Sequence, residues 1–92
     1  MSIDDWRNRI DEIDRKLVDL LNERSRCAIE IGRLKKTMNM GVYDPERERE
    51  VIDRVRQENH GPLDNDGLQR LFERVIDECR RIERKESAKE EG

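Results

Sequence analysis

One arginine stands where the surrounding pattern asks for an apolar residue. Ile3, Trp6, Ile10, Ile13, Leu17, Leu20, Arg24, Cys27, Ile31, Leu34 and Met38 follow one another in steps of three and four, the repeat of a helical seam that packs on another helix. Arg24 falls inside it. A desolvated guanidinium costs roughly several kcal/mol unless it is paired, so two explanations compete: it fixes the register of helix pairing, or it holds a buried anion. Taken alone, the residue fits register control slightly better. Its neighbours shift the weight. Arg7 and Lys35 flank the same seam, Arg47 and Glu48 share the face of Val51, Ile52 and Val55, and Glu83 closes the stripe Leu68, Leu71, Phe72, Val75, Ile76, Cys79 and Ile82. The inward-leaning groups are thus the cations Arg7, Arg24, Lys35 and Arg47 against the acids Glu48 and Glu83. A purely structural network should neutralise itself. Excess positive charge inside a chain of formal net charge −3 suits a pocket for a small dianion, and arginine grips carboxylates with a planar fork.

Distance constrains how such a pocket is built. Arg7 and Arg24 are 17 residues apart, or roughly 25 Å along one helix. They cannot grip one small ligand from the same chain. Antiparallel pairing of two such helices would bring Arg7 of one copy near Arg24 of the other, so the expected site lies between subunits.

The elements that must position these residues are readable from the same periodicity. The seam predicts a first helix over about 3–38, with Asp4 and Asp5 in its first turn and Lys35 and Lys36 in its last, matching the helix dipole. Such a helix is on the order of 50 Å long, whereas a compact monomer of this size has a radius of gyration of about 13 Å. It must project from any monomeric globule, which is an argument for a homodimer from length alone. Asn39, Gly41 and the pair Asp44 and Pro45 read as a loop followed by an N-cap and a first helical residue. A second helix is expected over 45–58, stopped by Asn59, His60, Gly61 and Pro62. A third is expected over 65–84, and 85–92 reads as a frayed, solvated tail. The fold class is all-α: one domain over 1–92 with one very long helix, one short and one medium.

Composition closes off other classes. Charged residues are 47 % and apolar residues 33 %, but the apolar residues fall on stripes, which fits solvated helices and not disorder. Aromatics are limited to Trp6, Tyr43 and Phe72, too few for a typical sandwich or barrel. The acidic balance argues against nucleic acid or an anionic membrane as partner. There is no apolar run long enough to span a bilayer, and no secretory leader is seen in the opening Met1–Trp6 segment. Cys27 and Cys79 lie on apolar stripes and read as buried, reduced thiols of a cytoplasmic protein. With His60 as the one histidine, no metal-ligand spacing is found. Trp6 reads as interface packing and His60 as a loop residue.

These residues resemble the all-helical chorismate mutases. The resemblance is carried by W-R-x-x-I-x-x-I-D-x-x-L-x-x-L-L-x-x-R from Trp6 to Arg24, A-x-x-I-G-x-x-K from Ala28 to Lys35, D-P-x-R-E from Asp44 to Glu48, and L-F-x-x-V-I-x-x-C-x-x-I-E from Leu71 to Glu83. It covers the chain to about residue 85 and implies an intertwined three-helix homodimer. It also implies a Claisen rearrangement of chorismate to prephenate in phenylalanine and tyrosine biosynthesis, with no covalent intermediate, metal or organic cofactor. Catalysis would consist of holding the reactive conformer and stabilising charge on the breaking ether oxygen.

By the same resemblance, Arg24, Arg47 and Arg7 of the other subunit would hold the two carboxylates. Lys35 would donate to the ether oxygen and to a carboxylate. Glu48 and the backbone near Asp44 would hold the ring hydroxyl, and Glu83 would give a second hydrogen bond to the ether oxygen. Two positions depart from the commonest family pattern. Cys79 stands where a substrate-touching serine is common, and a thiol is a weak donor. Glu83 stands where glutamine is often found, and glutamate donates only when protonated. Other readings stay open at this level: an isochorismate-pyruvate lyase on the same scaffold, a non-catalytic dimerising or regulatory module, and association with or attachment to another aromatic-biosynthesis enzyme.

Overall fold

Helix α1 spans Ile3–Thr37, and its ends explain why it begins and stops there. Ser2 is the N-cap: its hydroxyl accepts from the Asp5 N–H at 3.1 Å, and the Asp5 carboxylate accepts from the Ser2 N–H at 3.0 Å. This reciprocal box satisfies two donors that the first turn leaves free. At the other end Asn39 takes the left-handed conformation, φ 60°. Its N–H then reaches the Lys36 carbonyl at 3.1 Å, and the Met40 N–H reaches that of Lys35 at 2.8 Å. These two bonds form a Schellman cap, with asparagine in the role glycine most often fills.

Helix α2 spans Pro45–Glu58, with Asp44 accepting from the Arg47 N–H at 3.1 Å as its cap. Helix α3 spans Asn65–Glu91, and the Asp64 side chain and carbonyl receive the N–H groups of Gly67 and Leu68 at its start. The computed structural model describes residues 1–91, with side chains described through residue 89.

The third helix reaches farther than its apolar stripe. Residues 85–91, expected to fray, continue α3; residue 92 lies outside the described residues. The physical reason is local. Lys85, Glu86, Ala88 and Lys89 are good helix formers, Lys89 pairs with Glu86 at 3.3 Å, and Lys36 of α1 donates to the Ser87 carbonyl at 3.2 Å.

Among the described residues α3 packs on both α1 and α2, which do not pack on each other. Arg56 ties α2 to α3 through Asp66 at 3.0 Å and Gln69 at 2.8 Å. The chain measures 54 × 28 × 14 Å, with a radius of gyration of 16.4 Å. Its thin dimension is about that of one helix with its side chains, so one copy is a single layer. A single layer encloses no core, and the buried hydrophobic residues are Ala28 and Cys79 alone among those described. No helix of the described residues is long and apolar enough to cross a membrane.

Helix α1 therefore presents two apolar faces of different character. Small residues, Ser25, Ala28 and Gly32, meet α3. The seam of large residues is left bare: Ile3, Trp6, Ile10, Leu17, Leu20, Ile31, Leu34 and Met38 are all exposed. Cys27, expected in a core, lies on this bare seam and is exposed, while Cys79 is buried.

Candidate functional site

A cleft of about 250 Å³ opens where the C-terminal half of α1, the loop before α2, the first turns of α2 and the middle of α3 converge. Its charged lining is Arg24, Lys35, Arg47 and Arg80 against Asp44, Glu48 and Glu83. Three of the four cations expected from sequence thus meet in one chain. The fourth does not. Arg7 is highly exposed and stands 4.0 Å from Asp4 on the surface of α1, and the nearest cleft residue of that helix, Arg24, lies roughly 25 Å farther along it.

Each wall has a local cause. Arg24, at the border between the seam and the small-residue face of α1, donates to the Cys79 sulfur at 3.1 Å; Ser25 lies 3.7 Å from the same sulfur. Cys79 is buried, so a small apolar residue with a weak acceptor closes the floor and anchors the guanidinium. Lys35 is in the last turn of α1 and reaches the Val42 carbonyl at 3.4 Å, which joins the helix end to the loop. The Asp44 carboxylate is used as the α2 cap, which fixes the backbone at the cleft edge. Arg47 was expected on a buried face. It lines the cleft but is half exposed and pairs with Glu50 at 3.2 Å, because residues three apart on one helix face are within reach of each other.

Glu83 is the electrostatic anomaly. It is buried, and its Oε2 has no hydrogen-bond partner. Burial pushes its carboxyl above the usual carboxylate range, and the Lys35 ammonium opposes that shift. The side chain lies over Gly32, where a Cβ would come 3.2 Å from the Glu83 Cγ. Glycine at this α1 position gives the Glu83 stem its place between the helices.

Two contributors were not singled out from sequence. Arg80 donates to Glu48 at 2.6 Å and to Asp77 at 2.7 Å, and its guanidinium stands 5.3 Å from the centroid of the Tyr43 ring. The available signal was its spacing: Arg80 lies four residues after Ile76 and three before Glu83, hence on the stripe that lines the cleft. Gly32 figured in the sequence only as the glycine of the motif from Ala28 to Lys35.

The arrangement has net positive lining, one buried protonatable oxygen without a partner, and an ammonium close enough to influence it. Chemically it can hold a small anion by its carboxylates and present two hydrogen-bond donors to a developing negative oxygen. Cys27 and Ile31, both exposed seam residues, also line the cleft, so whatever covers the seam also borders the site.

Comparison with known proteins gives a consistent picture. Residues 6–84 match the family model described as chorismate mutase type II. The chain is 43 % identical over 82 residues to the bifunctional chorismate mutase/prephenate dehydratase of Pseudomonas aeruginosa, covering 84 % of this chain and 22 % of that protein. It therefore spans about a fifth of the length of that relative. Among solved structures it is similar to a chorismate mutase (form II) from Thermus thermophilus, with TM-score 0.88, 33 % identity, and coverage of 89 % and 93 % of the two chains. It is also similar to a chorismate mutase from Helicobacter pylori in complex with prephenate, with TM-score 0.87, 27 % identity, and coverage of 94 % and 93 %.

Proposed function

Because the chain belongs to the type II chorismate mutase family, we propose that its cleft rearranges chorismate to prephenate. The observation that carries this reading is the convergence of Arg24, Lys35 and Arg47 with Glu48 and the unpartnered buried oxygen of Glu83 in one small cleft. A pericyclic reaction asks for no nucleophile. It asks for the reactive conformer to be held and for charge on the departing ether oxygen to be stabilised. Arg24 and Arg47 hold carboxylates, and Lys35 donates to the ether oxygen. Protonated Glu83 gives that oxygen its second donor through the atom that lacks a protein partner. Glu48 and the capped backbone at Asp44 receive the ring hydroxyl. Cys79 shapes the floor and orients Arg24.

The working unit in this reading is a homodimer. The bare seam of α1 asks for an apolar cover, and a second copy supplies the same seam running antiparallel, an isologous interface. In that arrangement Arg7 of the second copy sits opposite Arg24 and completes the carboxylate grip, and the covering helix closes the cleft over Cys27 and Ile31. The two unpaired thiols suit a reducing, cytoplasmic setting. Association with a further aromatic-biosynthesis enzyme fits the bifunctional relatives, in which the matched segment is a minor part.

The test is loss of chorismate absorbance with purified protein, repeated with Arg24→Ala, with products identified. Prephenate formation by the wild type and its loss in a folded variant support the reading. Salicylate and pyruvate made from isochorismate in its place would assign the cleft to a lyase, and an equally active Arg24→Ala would remove the site assignment.

A further inference from the structure

Arg80 is tied to three separate elements at once. Its Nη1 donates to Glu48 of α2 at 2.6 Å, its Nη2 to Asp77 of its own helix at 2.7 Å, and its guanidinium stands beside the Tyr43 ring of the preceding loop. The Arg80 and Glu48 side chains are 23 % and 30 % exposed, so this pair is shielded much more than surface pairs such as Arg9 with Glu12 or Arg47 with Glu50. A charge-assisted bond of this length in such a setting fixes geometry strongly. Arg80 engages one of the two Glu48 oxygens, and the Glu48 side chain lines the cleft. A bare carboxylate facing a dianionic ligand would repel it, and Arg80, in the same cleft wall, supplies the compensating charge.

We propose that Arg80 is a positioning residue that sets substrate specificity: it orients and neutralises Glu48 so that the free carboxylate oxygen accepts a hydrogen bond from the ring hydroxyl of the substrate. Arg80 does not touch the reacting atoms. This inference rests on the reading of Glu48 as the hydroxyl acceptor. The hydroxyl sits on the ring carbon next to the ether carbon, but none of its own bonds breaks or forms, so its hydrogen bond acts mainly on substrate binding, alike in ground and transition states. Loss of Arg80 should therefore raise KM and leave kcat nearly unchanged.

The experiment compares chorismate with a chorismate analogue that lacks the ring hydroxyl, using the wild type, Arg80→Met and Arg80→Gln. Methionine keeps the apolar stem and helix propensity; glutamine is the second choice should methionine perturb folding, and circular dichroism with sizing checks both. The expected result is a rise of about tenfold in KM for chorismate, the weight of one weakened hydrogen bond to a charged group, with a clearly smaller rise for the analogue, which meets the uncompensated Glu48 charge but has no hydroxyl bond to lose. A smaller loss in the same direction is expected for Tyr43→Leu. Equal losses on both substrates would mean that Arg80 binds a carboxylate or merely supports the fold, and would overturn the proposal, as would unchanged kinetics on chorismate. A wild type that turns over neither substrate would refute the functional reading itself, and is distinguishable from failure at Arg80.

Discussion

Replacing Glu83 by glutamine should change the pH dependence of the enzyme more than its peak rate. The structure gives the direction. Burial raises the carboxyl pKa and Lys35 only partly opposes the shift, so the proton is retained into a range where an exposed glutamate has lost it. In the proposed mechanism protonated Glu83 donates to the ether oxygen, whereas the ionised carboxylate could only accept and would repel a dianionic substrate. Turnover should therefore fall as pH rises through its pKa, about tenfold per unit, because the protonated fraction falls by that factor. Removal of one donor to a developing oxyanion costs about 10²–10³ in kcat, so the fall should level off after about two to three units. Glutamine is isosteric and donates at every pH, so its profile should stay flat across the same range. Stability carries the same sign. The folded pKa is raised above the unfolded one, so folding holds a proton that the unfolded chain has released. That contribution to stability is lost as pH rises from the ordinary carboxylate range to the folded pKa, and Glu83→Gln is spared the loss. Steady-state kinetics and thermal melts across pH check both statements. A wild-type rate that stays level far into alkaline pH, superimposed on that of the variant, would refute the reasoning.

Three further outcomes follow from the geometry. Gly32→Ala should cut turnover several-fold while changing stability by less than about 1 kcal/mol, since the gain in helix propensity is set against displacement of the Glu83 stem, 3.2 Å from the new Cβ; melts and kinetics on one preparation separate the two. Arg24→Ala should lower kcat/KM by about a hundredfold or more, the scale of a lost charge-assisted grip on a carboxylate, and Arg24→Lys should recover only part of it. Leu20→Asp should convert the species seen by sedimentation to a smaller one and abolish turnover. Burying a leucine side chain contributes about 1.5–3 kcal/mol, and an unpaired aspartate in a symmetric interface is met twice.

The fold was legible because its signals are periodic and local. Steps of three and four from Ile3 to Met38 set α1 to within a residue of its observed end, and Asp44 with Pro45 set the start of α2. The tail was misread because an apolar stripe reports packing, whereas residues 85–91 are held by propensity, a Lys89 and Glu86 pair and one bond from Lys36. Cys27 was misread because the seam pattern states that a residue wants cover without saying which chain supplies it. In the site, Arg24, Lys35, Arg47, Glu48 and Glu83 stand out as polar residues interrupting apolar faces, and all five line one cleft. Arg80 escaped because in a stretch as charged as Glu78 to Arg84 it looked like solvated surface. Its partner Glu48 lies 32 residues away, and sequence periodicity says nothing of contacts between helices.

The most direct test of a site shared between two copies is complementation. Arg7→Ala and Arg24→Ala should each be nearly inactive alone. If the two inactive proteins are mixed in equal amounts and allowed to exchange chains, half of the dimers combine one of each. Each such dimer holds one site with an intact Arg24 from one copy and an intact Arg7 from the other. The recovered activity should then approach about a quarter of wild type per chain, as two-fold symmetry dictates. Absence of recovery after demonstrated exchange, or full activity of the Arg7→Ala protein alone, would contradict the account.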